Sequence, residues 1–250
     1  MAHGPQAGKV PPAGFGWMGP RPLPARTLRG RTMNPPPAIW CIGRNYDAHA
    51  REMGDTPRER PTIFFKNPAS VVGDGDEIVL PPICDEHGPQ VDFEGELAVM
   101  LGRDLCDADE SEVLDTVSYA AANDVSARWW QREGSNGQWN RGKSFDTFCP
   151  LGSFVPGTSI PDPQALHLVS RLNGEIMQEA TTADMIFPVA MLLAELSRGT
   201  TLLKGTVLLT GTPGGVGSRR DPAVWLADGD ECEVEIEGIG CLRNRVRQAR

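Results

Sequence analysis

The chain has 250 residues, of which 40% are hydrophobic and 6% aromatic, a composition typical of a soluble globular protein with a substantial core. Its net charge of −9 at pH 7 argues against binding to nucleic acid through phosphate contacts. No stretch approaches the roughly 18 consecutive apolar residues that a membrane-spanning helix needs. The six cysteines are scattered without a C-x-x-C pair, which argues against a structural zinc site and favours a reducing, cytoplasmic location.

The first 37 residues differ in composition from the rest of the chain. They hold nine of the 22 prolines, six glycines, five basic residues and no acid. Such a segment cannot bury enough apolar surface to fold alone. Without its five basic residues the remaining chain has a net charge of −14. We therefore expect an N-terminal extension over residues 1–37 and a distinctly acidic folded domain over residues 38–250.

From residue 38 onward most predicted elements are short strands. Alternating or continuous apolar runs predict strands at 38–43, 62–66, 77–80, 91–101, 117–123, 165–172, 175–180, 206–210, 231–237 and 240–246. Helices are predicted only at 46–53, 126–132 and 188–198. Asn173-Gly174 predicts a type I′ hairpin turn between two of the strands. This balance indicates an α+β, β-rich fold, a mixed β-sheet roll or barrel-like sandwich with a few short helices.

Three acids occupy alternate positions in the apolar run 91–101. In a strand, Asp92, Glu94 and Glu96 would project from one face, because successive side chains alternate. A hard divalent cation, which prefers oxygen ligands, would relieve their mutual repulsion. An edge strand with one solvated acidic face explains the same pattern. These residues alone leave both interpretations open.

Two further polar patterns accompany the acidic strand. Asp124 follows the apolar run 117–122 and adds a carboxylate at the end of another predicted strand. His49 and Glu52 lie one turn apart on a predicted helix, where Glu52 could orient His49 as a general base. Such a pair is more commonly a surface histidine beside a solvated acid. The glycine-rich segment 210–217 lacks the Lys-Ser/Thr ending of a phosphate loop, and no G-x-S-x-G or H-E-x-x-H motif occurs.

Six short motifs follow one another along the predicted domain. They are CIGRNYDAHAREM (41–53), PTIFFKNP (61–68), VDFEGELA (91–98), NDVSAR (123–128), GKSFDTFCPLG (142–152) and TGTPGGVG (210–217). Each is weak alone, but the ordered set resembles the fumarylacetoacetate hydrolase family and spans nearly the whole predicted domain. Ile42 stands where the larger members have a fourth metal carboxylate, which favours the small acylpyruvase-like branch. Trp129 stands where many relatives have an acid.

The resemblance implies a metal site and an architecture. The strand pattern alone leaves a metal site and a solvated edge strand equally open. The resemblance favours the metal site, in which Glu94, Glu96 and Asp124 would hold Mg²⁺ or Mn²⁺. The fold would be the mixed β-roll of this family, and the protein would form a homodimer.

The resemblance also implies roles around a bound small-molecule keto acid. Lys143 would stabilise the enolate, and His49 with Glu52 would activate water. The substrate would contact Arg128, Gln131 and Thr212.

The implied reaction is metal-dependent hydrolysis of a carbon–carbon bond. An acylpyruvate-like 2,4-diketo acid would give pyruvate and a carboxylic acid through a metal-stabilised enolate. The same enolate arises in a decarboxylase acting on oxaloacetate and in an isomerase or lyase acting on related 2-keto or 2-hydroxy acids. These activities, and a non-catalytic protein that binds small acids, remain the alternatives.

Overall fold

The structure is a computed structural model that describes residues 35–46 and 59–249. In this part of the chain short strands dominate. The strands are β1 (Ile39–Gly43), β2 (Thr62–Lys66), β3 (Val71–Val72), β4 (Glu77–Leu80), β5 (Val91–Asp92), β6 (Gly95–Met100), β7 (Ser118–Asn123), β8 (Ser126–Ala127), β9 (Cys149–Pro150), β10 (Val155–Pro156), β11 (His167–Leu172), β12 (Glu175–Thr181), β13 (Val207–Leu209), β14 (Glu231–Ile236) and β15 (Gly240–Gln248). The α-helices are α1 (Arg128–Gln131), α2 (Asn140–Lys143) and α3 (Val189–Ser197).

The strands form two main mixed sheets. The six-stranded sheet has the order β10-β7-β6-β13-β1-β2, in which only β1 and β13 run parallel. The five-stranded sheet has the order β12-β11-β14-β15-β4, in which only β15 and β4 run parallel. Two further pairs form separate two-stranded sheets: β3 with β9, which run parallel, and β5 with β8, which run antiparallel.

The main core lies between the two large sheets and helix α3. Leu97 on β6, Leu168 on β11, Val234 on β14 and Leu192 on α3 belong to one cluster of buried side chains. The opposite face of the six-stranded sheet is also covered, and there the small Ala98 of β6 packs with residues of β1, β7 and β13. Because side chains alternate along a strand, Glu96 lies on the same face as Ala98.

The structure confirms the predicted β-rich fold of mixed sheets with few short helices. Asn173 and Gly174 have φ values of 53° and 83°, as a type I′ turn between β11 and β12 requires. The predicted helix 126–132 begins only at Arg128, because Ser126 and Ala127 pair with β5 instead.

The single strand predicted at 91–101 is wrong: it is divided into β5 and β6, which pair with different partners. The predicted helix 46–53 lies outside the described residues except for Tyr46. The boundary at residue 37 stays a prediction. No helix in the described part of the chain is long and apolar enough to cross a membrane.

Candidate active site

Three buried carboxylates meet at one end of the six-stranded sheet. Glu94 precedes β6, Glu96 lies in it, and Asp124 directly follows β7, its antiparallel neighbour. The Asp124 N–H donates to the Glu94 carbonyl oxygen at 2.8 Å. Oxygen atoms of the three carboxylates lie within 4.8 Å of one another, and the three residues are at most 5% exposed. The structure thus brings together the three predicted metal ligands.

Two buried side-chain amides hold the backbone on which the glutamates are placed. The Glu94 N–H donates to Oδ1 of Asn123 at 3.0 Å, and the Gly95 N–H donates to Oε1 of Gln178 at 2.9 Å. Buried peptide groups need such partners wherever regular strand pairing is interrupted. The two amides therefore stabilise the path of the chain between β5 and β6.

Two buried lysines contact the carboxylate cluster. Nζ of Lys143 lies 2.5 Å from Oε2 of Glu94 and 2.6 Å from Oδ2 of Asp124. Burial disfavours the charge of Lys143, but the carboxylates of Asp124 and Glu94 outweigh it and raise the pKa of this lysine above its usual value. Nζ of Lys66, on β2, lies 2.5 Å from Oδ1 of Asp124. Both lysines therefore hold carboxylates of the cluster in place through short ion pairs.

Glu96 lies where its surroundings disfavour the ionised carboxylate. Its Oε2 accepts a hydrogen bond from the Gly211 N–H at 2.7 Å. Burial raises the pKa of Glu96 well above its usual value, and the charges of Asp124 and Glu94 raise it further. A divalent cation among these oxygen atoms would stabilise the ionised form. A set of three carboxylates is the kind of donor set that Mg²⁺ or Mn²⁺ takes, so the residues fit the predicted metal.

Asp92 does not belong to this cluster, although it shares the alternating pattern of Glu94 and Glu96. Its Oδ2 accepts from Nε and Nη2 of Arg128 at 2.9 and 2.6 Å, and its Oδ1 accepts from the Gly217 N–H at 2.8 Å. Nη1 of Arg128 in turn lies 2.6 Å from Oε1 of Glu94. Asp92 is therefore a structural acid that orients Arg128.

The glycine-rich segment 210–217 borders the site through Thr212 and is hydrogen-bonded to both sheets. The Thr212 hydroxyl donates to the Gly95 carbonyl oxygen at 2.9 Å and accepts from Nε2 of Gln178 at 2.7 Å. Since a hydroxyl has a single proton to donate, Thr212 offers the cavity only an acceptor in this structure. Its predicted contact with the substrate stays a prediction.

A cavity of about 200 Å³ opens beside the carboxylates. The predicted residues that line it are Glu94, Glu96, Arg128, Gln131, Lys143 and Thr212. The cavity wall also includes Phe64 and Trp139, whose ring centroids are 5.3 Å apart. The predicted water-activating pair, His49 and Glu52, lies outside the described residues.

Sequence reasoning gave no role to three residues that the site uses. Lys66 is one of only four lysines and belongs to the motif 61–68, which is a signal that could have identified it. Gln178 and Arg132, the latter at the cavity wall, carry no comparable signal. Their positions follow from the way the elements pack.

Mixed sheets with a buried carboxylate cluster, two lysines and a small cavity define a candidate metal-dependent enzyme of small acids. The chain matches the family described as fumarylacetoacetate (FAA) hydrolase C-terminal over residues 38–247. It therefore belongs to the fumarylacetoacetate hydrolase family, as its motifs predict.

Several relatives share most of the chain. This chain is 42% identical over 213 residues to the human mitochondrial oxaloacetate tautomerase FAHD2A, and the match covers 84% of this chain and 67% of that protein. The structure of 5-carboxymethyl-2-hydroxymuconate delta-isomerase from Mycobacterium smegmatis is 38% identical, with a TM-score of 0.74 over 85% of this chain and 79% of that one. The structure of a fumarylacetoacetate hydrolase from Exiguobacterium antarcticum is 40% identical, with a TM-score of 0.76 over 86% of this chain and 76% of that one.

Proposed function

We propose that this protein converts small 2-keto acids through an enolate, with Mg²⁺ or Mn²⁺ held by Glu94, Glu96 and Asp124. The observation that carries the proposal is the buried carboxylate cluster, which opens into a cavity with Lys143 at its wall. When bound, the cation would act as a Lewis acid toward the 2-keto oxygen and offset the charge of the carboxylates.

The protein's own cations suit an enolate. Lys143 is buried, charged and held by two carboxylates, so it would stabilise negative charge that develops at the cavity wall without reorganising. Arg128 lines the same cavity and is oriented by Asp92. A guanidinium in a fixed position is well suited to bind the carboxylate of a keto acid. Gln131 accepts from Nη1 of Arg128 at 3.1 Å and completes this wall.

The first candidate reaction is keto–enol tautomerisation of a 2-keto acid such as oxaloacetate. It requires only that a proton leave C3 and return at the keto oxygen, or the reverse. The similarity to proteins named oxaloacetate tautomerase and delta-isomerase supports this candidate.

The second candidate is hydrolysis of an acylpyruvate, and the His49-x-x-Glu52 pattern within the motif 41–53 favours it. His49 would take a proton from water as the hydroxide attacks the distal carbonyl carbon. The carbon–carbon bond would then break, and its electron pair would remain on pyruvate as the enolate, which is protonated at C3. The other product would be a carboxylic acid.

A substrate panel tests the proposal and separates the two reactions. Tautomerisation of oxaloacetate is followed by the ultraviolet absorbance of the enol, and acylpyruvate hydrolysis by release of pyruvate, each with Mg²⁺, with Mn²⁺ and with a chelator. We expect metal-dependent acceleration of at least one reaction. For hydrolysis, His49→Ala should lower the rate by about 10²–10⁴-fold. Absence of both activities with either metal would contradict the proposal.

A further inference from the structure

The Tyr46 hydroxyl is a buried donor without an acceptor. Tyr46 follows β1 and is 1% exposed, within the main core cluster. Among the described residues its hydroxyl has no hydrogen-bond partner. A buried polar group in this state typically costs about 1–3 kcal/mol, whereas a phenylalanine ring would fill almost the same space without that cost. Packing alone therefore does not account for a hydroxyl at this position.

The chain that carries Tyr46 is held by other elements. The Asn45 side chain accepts from the Phe187 N–H at 2.8 Å and donates to the carbonyl oxygens of Phe187 and Thr210 at 3.1 and 2.8 Å. Tyr46 itself forms an isolated antiparallel bridge with Met185. These contacts fix the backbone from which the buried Tyr46 ring extends into the core.

The same stretch of chain lies beside the loop that contacts Glu96. Gly211, whose N–H donates to Oε2 of Glu96 at 2.7 Å, lies so close to Asn45 that a Cβ on it would be 2.7 Å from Cβ of Asn45. Burial raises the pKa of Tyr46, and the charge of Glu96 raises it further, as does that of Asp184. The Tyr46 hydroxyl is thus within electrostatic reach of Glu96.

Glu96 has the complementary deficit. The other two carboxylates of the cluster, Glu94 and Asp124, each contact two cations. Glu96 forms no ion pair with any described residue, and only its Oε2 accepts a hydrogen bond from this part of the chain. A donor that lacks an acceptor and a carboxylate oxygen that lacks a donor therefore belong to the same buried region.

We propose that one bound water bridges the Tyr46 hydroxyl and Oε1 of Glu96 and so positions this carboxylate as a metal ligand. The hydroxyl donates to the water, and the water donates to the carboxylate. A bridge fits because no direct hydrogen bond joins the two groups. It stabilises the ionised carboxylate that a divalent cation requires. The inference rests on the metal site of the proposed function, and Tyr46 is a positioning residue that touches neither the cation nor the substrate.

Tyr46→Phe tests the inference by calorimetric titration with Mg²⁺ and by urea denaturation without metal. We expect the Mg²⁺ affinity to fall about 10-fold, since loss of a partner of a metal ligand typically costs about 10–100-fold. The free energy of unfolding without metal should change little, because the variant also removes the desolvation cost of the hydroxyl. Lower metal-free stability with an unchanged Mg²⁺ affinity would assign Tyr46 to packing and overturn the inference.

Two matched variants serve as controls. Tyr119→Phe removes the only other tyrosine hydroxyl of the chain, which belongs to the same core cluster but lies near the start of β7, whereas Asp124 follows its end. Asp184→Asn neutralises the exposed acid that also influences Tyr46. Both variants should keep the Mg²⁺ affinity of the unaltered protein. An effect of Asp184→Asn as large as that of Tyr46→Phe would show that the hydroxyl serves Asp184, and would overturn the inference.

Fluorine NMR provides a second readout. Because the chain has two tyrosines, labelling with 3-fluorotyrosine gives two signals, which Tyr119→Phe assigns. Saturating Mg²⁺ should shift the Tyr46 signal and leave the Tyr119 signal in place, and an unmoved Tyr46 signal would overturn the inference. Equal Mg²⁺ affinities of Tyr46→Phe and an active unaltered protein would overturn the inference alone. Weaker binding by Tyr46→Phe in a protein that converts no keto acid would contradict the proposed reaction alone.

Discussion

At the scale of single residues, Asp92 connects the substrate wall to the glycine-rich segment. Its two carboxylate oxygens accept from Arg128 and from the backbone N–H groups of Gly217 and Ser218. Asp92 has no exposed surface, so loss of its carboxylate would leave buried donors, the Gly217 N–H among them, without an acceptor. Gly217 is needed for this contact, because a Cβ there would lie 2.8 Å from Oδ1 of Asp92 and 2.0 Å from the carbonyl oxygen of Val224.

Asp92→Asn should therefore destabilise the protein although the side chain keeps its size. The amide would remove one of the two carboxylate partners of the buried Arg128 and point N–H groups at other donors; breaking a buried ion pair typically costs about 3–5 kcal/mol. Chemical denaturation measures this loss. Asp228→Asn is the control, because Asp228 is exposed and accepts a single bond from the Gln248 N–H. Equal stabilities of the two variants would show that Asp92 does not hold Arg128 in solution.

At the scale of elements, Gln178 joins the five-stranded sheet to the carboxylate site. From β12 it accepts from the Gly95 N–H and the Ser170 hydroxyl, and it donates to Thr212 and to the Pro213 carbonyl oxygen. One buried amide thus fixes the backbone between the two glutamates and the glycine-rich segment together. Buried polar groups that lose such a partner cost about 1–3 kcal/mol each.

Gln178→Met should lower both stability and affinity for Mg²⁺. The methionine side chain is similar in length to that of glutamine, but its thioether satisfies none of the hydrogen-bonding partners. Gly95 and the neighbouring glutamates would therefore lose their fixed position. Gln164→Met is the matched control: Gln164 also bonds two backbone groups, those of Thr182 and Val189, and neither belongs to the carboxylate cluster or the glycine-rich segment. Thermal melts at increasing Mg²⁺ measure both quantities. Equal metal affinities in the two variants would contradict a positioning role for Gln178.

The contrast between β6 and Gln178 shows what sequence patterns can predict. Apolar alternation identifies β6 and β7, and the Asn173-Gly174 turn identifies the β11–β12 hairpin, because these signals are local. The break between Asp92 and Gly95 was missed, since it depends on β5 pairing with β8 instead of continuing into the large sheet. The carboxylate cluster could be predicted only through the resemblance to a known family, because the alternating acids alone fit a metal site and a solvated edge strand equally well. Gln178 was missed because it reaches Gly95 from 83 positions away.

At the scale of the whole molecule, the architecture separates a negative protein from a positive cavity wall. The chain carries a net charge of −9, yet the described wall of the cavity holds more cations, three arginines and Lys143, than acids, Glu94 and Glu96. The six-stranded sheet is covered on both faces by apolar clusters, so its end can hold charges away from bulk water. In such surroundings the interaction of a small anion with these cations is stronger than it would be at the surface.

The central claim is that this site forms an enolate, and deuterium exchange at C3 of oxaloacetate in D₂O measures that step directly. Proton NMR should show that the Mg²⁺-loaded protein accelerates exchange above the rate with Mg²⁺ alone, and that a chelator removes the acceleration. Glu94→Gln should lose most of it, whereas Glu112→Gln, at an exposed pair with Arg103, should not. Exchange at the same rate with and without the Mg²⁺-loaded protein would contradict the account.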